Sequence, residues 1–241
     1  AVVLATGSSA VVPPIDGLRD VRPWDSRAIT SAKEVPARLL VLGGGVVGVE
    51  MAQAWKRLGA REVTVIDAAP RLVTQLEPFA GEELRDAFEA EGITVVLDDA
   101  VERARRDGDD GPVTLTLGDG RTFTGDELLV ATGRRPNTAD LGLDRIGLEP
   151  GEPVEVDDQL RATAVDGGWL YAIGDCNGRT LLTHMGKYQA RIAGDAILHG
   201  STATAWADHR AVPSVVFTDP QLATVGLTEA KAREQGIDVK V

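Results

Sequence analysis

Short apolar runs closed by glycine alternate along the chain with stretches of helical period, and that alternation sets the reading of residues 38–130. Strands are predicted at 39–42, 63–66, 94–97 and 128–130, with helices at about 46–58 and 81–91 between them. Strand and helix in turn, with short connections, imply parallel strands joined by right-handed crossovers in a doubly wound α/β sheet. VERARR and VTLTL alternate instead, and the turn Gly118, Asp119, Gly120 before RTFTG predicts an antiparallel meander. Before this region, Pro13, Pro14, Gly17, Pro23 and Pro36 argue for an extended connection over the surface rather than a helical domain. After Pro150 the pattern predicts short strands at 154–156 and 169–173 and a long helix at 183–199. A strand at 214–217, a turn at Asp219 and Pro220, a helix capped by Thr228 and the opening of a further strand follow.

Residues 1–7, AVVLATG, read as a buried strand entering a tight turn, and residues 236–241 read as a strand interrupted. The expectation is therefore a piece of a longer protein. LATG at 4–7 and VATG at 130–133 each close a strand, an echo that two halves of similar construction would explain. At 241 residues the chain suits one large domain or two small ones.

Charge and composition narrow the function classes. Lys and Arg number 25 against 37 Asp and Glu, a formal charge of −12, and no basic cluster exceeds a pair, which excludes nucleic acid as an expected partner. No apolar run approaches the roughly 18 residues of a membrane span, and the N-terminus lacks a basic signal region, so a cytoplasmic location is expected. A lone cysteine, Cys176, permits no internal disulfide, and with three scattered histidines no metal site is expected.

Chemistry concentrates in LLVLGGGVVGVE, where Gly43, Gly45 and Gly48 form GxGxxG between a strand and a helix. Gly43 serves the tight turn, Gly45 clears a path for a pyrophosphate, and Gly48 lets the helix pack closely. The anion then lies at the helix N-terminus, against free N–H groups and the positive end of the macrodipole. Asp67, closing VTVID 24 residues past Gly43, suits the adenosine ribose and would repel a 2′-phosphate, which favours NAD over NADP. Arg71 has two readings, a solvated arginine or a phosphate partner. Glu50 either gains from the helix dipole alone or lies beside the nicotinamide. Cys176 is a small core residue or a redox thiol, and His184 packs near a helix start or moves protons.

Taken together, LATGS, LVLGGGVVGVE, LLVATGRRPN, YAIGDC, LLTHMGKYQARIA and VPSVVFTDPQLATVGLTE resemble, in order and spacing, the FAD-dependent pyridine nucleotide-disulfide oxidoreductases. The resemblance covers essentially the whole chain. It implies a Rossmann-like NAD-binding domain (34–150) inserted in a partial FAD-binding domain, with the exit of the first FAD segment at 1–33. The returning FAD segment would be 151–203, and the start of an α+β dimerisation domain 204–241. It further implies that Thr6, Gly7 and Ser8 line the FAD adenosine region. Gly43, Gly45, Gly48, Glu50, Asp67, Val101 and Gly133 would hold NAD. Asp175 would bind the FAD ribityl chain, with Leu181, Leu182, Thr183 and His184 against the flavin. The helix starting at Thr183 would favour the negative charge of reduced flavin.

The family's second GxGxxG, its CxxxxC pair and its distal acid and base are not in this sequence, so no catalytic residue is assigned and the chain alone is expected not to turn over. The parent is read as a homodimeric oxidoreductase passing hydride between NAD(H) and FAD, then to a disulfide, quinone or metal acceptor. The alternative is a non-catalytic dinucleotide-binding module.

Overall fold

The computed structural model describes all 241 residues, which form two compact units. The glycine-loop unit comprises Ala10–Gly133 and Val215–Ala223; the flanking unit comprises Ala1–Ser9, Arg134–Ser214 and Thr224–Val241. These limits differ from the domain limits at 34 and 150 drawn from the family order.

The chain enters through β1 (Val2–Leu4) and β2 (Ser8–Ala10). The connection that follows is not simply extended. Asp25 accepts from the Arg27 and Ala28 N–H groups and starts a six-residue helix, α1 (Ser26–Ser31), while Leu18, Val21 and Ile29 are fully or almost fully buried. The prolines broke the periodicity without preventing single apolar side chains from docking.

From β3 (Arg38–Leu42) the alternation is as predicted: α2 (Val46–Leu58), β4 (Glu62–Ile66), α3 (Pro78–Ala90), β5 (Ile93–Val96). Pro78 at the first helical position starts α3 three residues earlier than expected, since its missing N–H would have had no helical partner there. A meander of β6 (Val101–Arg106), β7 (Val113–Leu117) and β8 (Thr122–Gly125) leads to β9 (Glu127–Val130). The main sheet has the order β5-β4-β3-β9 with every neighbouring pair parallel, and the meander is antiparallel throughout.

Alternate residues of β3 serve two cores, as the pleat requires. Leu39 and Val41 pack with Ala52, Leu84 and Phe88 of the helices, whereas Leu40 and Leu42 pack with Leu115 and Leu117 of the meander. Leu84 and Phe88, at i and i+4, are both 0% exposed, worth about 2–3 kcal/mol each.

The flanking unit continues with β10 (Arg134–Pro136), which pairs with β2, and β11 (Leu170–Ala172), which runs parallel to β1. A 3₁₀ turn at Gly174–Asn177 precedes α4 (Thr183–His199), as predicted, and the short α5 (Ala207–Arg210). β12 (Pro213–Val216) and β13 (Leu222–Val225) form a two-stranded sheet, and Thr228 caps α6 (Glu229–Glu234).

Three expectations fail here. β1 is not buried: it belongs to a two-stranded sheet and leaves Val2 and Val3 48% and 42% exposed. No strand forms at 154–156, because the only ladder contact is a single bridge between Val156 and Ala162. Residues 236–241 form no strand either.

Candidate functional site

The glycine motif forms the turn between β3 and α2. Gly43 has φ +113°, and a β-carbon there would lie 2.6 Å from the Ala131 carbonyl oxygen, so the second ATG turn rests directly on the first glycine. At Gly48 a β-carbon would stand 1.9 Å from the Gly43 carbonyl oxygen, which makes glycine obligatory where helix and loop meet. Gly45 differs from both. Its backbone is ordinary (φ −76°, ψ −176°) and a β-carbon would meet nothing within 4 Å. Steric need inside the chain therefore explains Gly43 and Gly48 but not Gly45, which faces open space at the start of a 13-residue helix that no side chain caps.

Asp67 follows β4 and is held by the same turn. Its Oδ2 accepts from the Gly44 N–H at 2.5 Å and its Oδ1 from the Ala69 N–H at 2.8 Å. Gly44 was missed by the sequence reading because the fingerprint leaves that position free. Arg71 donates to the carbonyls of Leu76 (3.0 Å) and Thr74 (2.8 Å), which ties its guanidinium to its own loop. Gly133, with φ +154°, ends the ATG turn in open space. Val101 is buried at the start of β6, so what it can offer a ligand is backbone. Glu50, half-buried on α2, accepts the Phe217 N–H at 2.9 Å, a partner 167 residues away. The uncapped helix start, the clearance at Gly45 and the fixed Asp67 carboxylate fit a dinucleotide: N–H donors for the diphosphate and an acceptor for ribose hydroxyls.

In the flanking unit the structure brings Ser8 and Asp175 together. The Ser8 hydroxyl donates to Asp175 Oδ2 at 2.5 Å, and Arg134 donates to the Ser8 hydroxyl and carbonyl oxygens, both at 2.7 Å. Thr6 is exposed, its carbonyl accepting from Asn137 Nδ2, and Gly7 takes φ +72°. The turn bearing Asp175 packs on α4 through glycine: a β-carbon on Gly186 would lie 3.4 Å from the Gly174 Cα. Gln189, fully buried, accepts from the Gly174 N–H (2.7 Å) and from Asn177 Nδ2 (2.9 Å) and donates to Asp208 (2.9 Å). Burial pushes the Asp208 carboxyl above the ordinary carboxylate range, against the bonds from Gln189 and Arg179 that pull it down. None of this support was visible in sequence, where Gln189 was one polar position on a helix.

Leu181 is exposed, Leu182 precedes the helix, and Thr183 and His184 open α4 without a side-chain cap. The His184 ring lies 2.8 Å from the Pro213 carbonyl oxygen through Nε2. The Asp175 carboxylate, 25% exposed, and the uncapped 17-residue helix suit a polyhydroxyl chain and an anionic ring. Cys176 is 0% exposed and its thiol donates toward the Leu4 and Ile173 carbonyls, which is the core reading rather than the redox one.

Parallel strands, a glycine turn built around an open helix start, and a second strand-and-turn unit with an acidic residue define an α/β protein with the layout of a dinucleotide-binding fold. Residues 1–192 match the model of the pyridine nucleotide-disulphide oxidoreductase family, and residues 212–241 match that family's dimerisation domain. The chain belongs to this family, whose members use FAD and a pyridine nucleotide. It is 38% identical over 238 residues to a mercuric reductase of Streptomyces lividans, covering 98% of this chain and 49% of that protein. It is 34% identical over 242 residues to a dihydrolipoyl dehydrogenase of Geobacillus stearothermophilus, covering 98% and 49%. Among solved structures, the HOCl-induced flavoprotein disulfide reductase RclA from Escherichia coli matches with a TM-score of 0.84 at 30% identity, over 99% of this chain and 54% of that one. The chain thus spans about half the length of the curated relatives it matches. No helix is long and apolar enough to cross a membrane.

Proposed function

We propose that this chain is the nucleotide-binding portion of a cytoplasmic, homodimeric flavoprotein oxidoreductase that passes hydride between NAD(H) and FAD and onward to a disulfide, quinone or metal acceptor. In this reading the NAD-binding domain is residues 34–150, the FAD-binding segments are 1–33 and 151–203, and the dimerisation domain begins at 204. Nicotinamide and flavin supply the redox chemistry when bound; the protein holds them and tunes their charge. Gly43, Gly45 and Gly48 admit the diphosphate to the start of α2, with Val101 and Gly133 at the adenine end. Asp67 accepts from the adenosine ribose and disfavours a 2′-phosphate, while Arg71 spends two of its N–H donors on the carbonyls of its own loop. Glu50 extends the site toward the nicotinamide. Thr6, Gly7, Ser8 and Asp175 serve the FAD side, where Leu181, Leu182, Thr183 and His184 present an apolar step and a helix start to the flavin.

The observation that carries the NAD assignment is Gly45: a residue free of any internal steric demand, placed where a diphosphate must approach bare backbone. Titration calorimetry of the 241-residue chain tests it. NADH should bind at least about tenfold more tightly than NADPH, and Asp67→Ala should bring the two near parity. Because Asp67→Ala also removes the acceptor of the Gly44 N–H, the ratio of affinities is the readout. Tighter binding of NADPH by the unaltered chain would reverse the cofactor preference, and binding of neither would end the reading.

A further inference from the structure

One face of α2 carries polar residues at i, i+3 and i+7: Glu50, Gln53 and Arg57. All three bind the segment Val215–Ala223, which belongs to the glycine-loop unit although 81 residues of the other unit, Arg134–Ser214, separate it from Gly133. Glu50 Oε1 accepts the Phe217 N–H. Gln53, 3% exposed, makes a reciprocal pair with the backbone of Asp219, accepting its N–H at 2.7 Å and donating to its carbonyl at 2.9 Å. Arg57 donates to the Asp219 carboxylate at 2.8 Å and to Glu91 at 2.5 Å, and Glu91 also accepts from Gln53 at 2.8 Å. The Arg57 bond holds the Glu91 carboxyl below the ordinary carboxylate range. Beneath these bonds Val216 (1% exposed) and Leu222 join the apolar core formed by α2 and α3 with the sheet.

A side-chain amide that satisfies both polar groups of one distant residue fixes its position and orientation together, as a strand neighbour would. At 3% exposure such a pair costs much to break, because each group left alone would be desolvated without a partner. The pair lies two residues from the Phe217 N–H that engages Glu50. Glu50 begins the second turn of the helix whose open N-terminus bears Gly45. With Oε1 committed to Phe217, Oε2 is the oxygen left for a ligand.

We propose that Gln53 is a positioning residue for the dinucleotide site: by gripping the Asp219 backbone it holds the Phe217 N–H on Glu50, and so fixes the direction in which the Glu50 carboxylate meets the ligand. This rests on the NAD reading above. It makes residues 215–223 a working part of the nucleotide-binding unit rather than of the dimerisation domain alone.

The test uses the full 241-residue chain with NADH as the probe. In Gln53→Leu, hydrogen exchange across residues 216–221 should accelerate at least about tenfold, and the NADH dissociation constant should rise about three- to tenfold. In a Glu50→Ala background the same change should alter NADH affinity by less than about twofold, because the residue through which it acts is gone. A purely structural role would instead give the same loss in both backgrounds, and that result, or unchanged affinity despite faster exchange, overturns the proposal. Should the leucine variant not fold, Gln53→Asn, one methylene too short for the pair, must show the same direction in both measurements. Failure of the unaltered chain to bind NADH would overturn the functional reading and this proposal with it. Binding that is insensitive to Gln53 overturns this proposal alone.

Discussion

Both units end a parallel strand in the same three letters, Ala-Thr-Gly, and build on them unequally. In the glycine-loop unit the turn after β9 lies against Gly43, beneath a four-stranded parallel sheet covered on both faces. In the flanking unit the turn after β1 follows a strand with one neighbour, whose Val2 and Val3, on opposite faces, are both nearly half exposed. The same local sequence therefore specifies a turn in each, while the surrounding layers decide how strongly it is held. The two ATG glycines, Gly133 and Gly7, share a positive φ and open space around them; what the first unit adds is Gly43, which contact with the Ala131 carbonyl holds to glycine.

The largest effect that separates them is expected from Gly48→Ala against Gly7→Ala. The first drives a β-carbon to 1.9 Å from the Gly43 carbonyl oxygen and should destabilise its unit by about 3 kcal/mol or more. The second meets nothing within 4 Å and costs only the strain of φ +72°, about 1 kcal/mol. Denaturant unfolding followed by hydrogen exchange in each unit measures both, and equal losses would break the contrast. Next comes Gly45→Ala, where clearance belongs to the ligand. Stability should stay within about 0.5 kcal/mol of the unaltered chain while NADH affinity falls about tenfold or more by calorimetry. A loss of stability equal to that of Gly48→Ala would show that the two glycines do the same work.

The smallest effect belongs to the flanking unit. Burial raises the folded-state pKa of Asp208 above 3.8, so the folded chain binds that proton more tightly than the unfolded one. Its contribution to stability therefore declines as pH rises upward from the ordinary carboxylate range. Asp208→Asn should stabilise at pH 7 by less than about 1 kcal/mol, and the gain should shrink on acidification toward pH 4. A gain that grows on acidification would give the opposite sign and show that the Arg179 and Gln189 bonds outweigh desolvation.

What could be read in the sequence was local or periodic. The run of apolar residues in β3, the spacing of Gly43, Gly45 and Gly48, and the helix Thr183–His199 each declare themselves within about twenty residues. α1 was hidden because its only signal is the Asp25 cap among prolines. The strand expected at 154–156 failed because alternating apolar residues need a neighbour to pair with, and only Val156 finds one. The supports of the site were illegible for a different reason. Gln53 and Asp219 lie 166 residues apart, Ser8 and Asp175 lie 167 apart, and no period within a window connects them.

The polypeptide passes between its two units four times, after Ser9, Gly133, Ser214 and Ala223. Neither unit can then be released by one proteolytic nick, and neither can be lifted out as a continuous stretch of gene. Trimming the chain before Val215 would strip Val216 and Leu222 from the helix-side core and remove both bonds of Gln53 to the Asp219 backbone, leaving it only Glu91. Anyone wishing to graft this cradle elsewhere must carry residues 10–133 together with a nine-residue strap from far downstream, or supply a substitute for it.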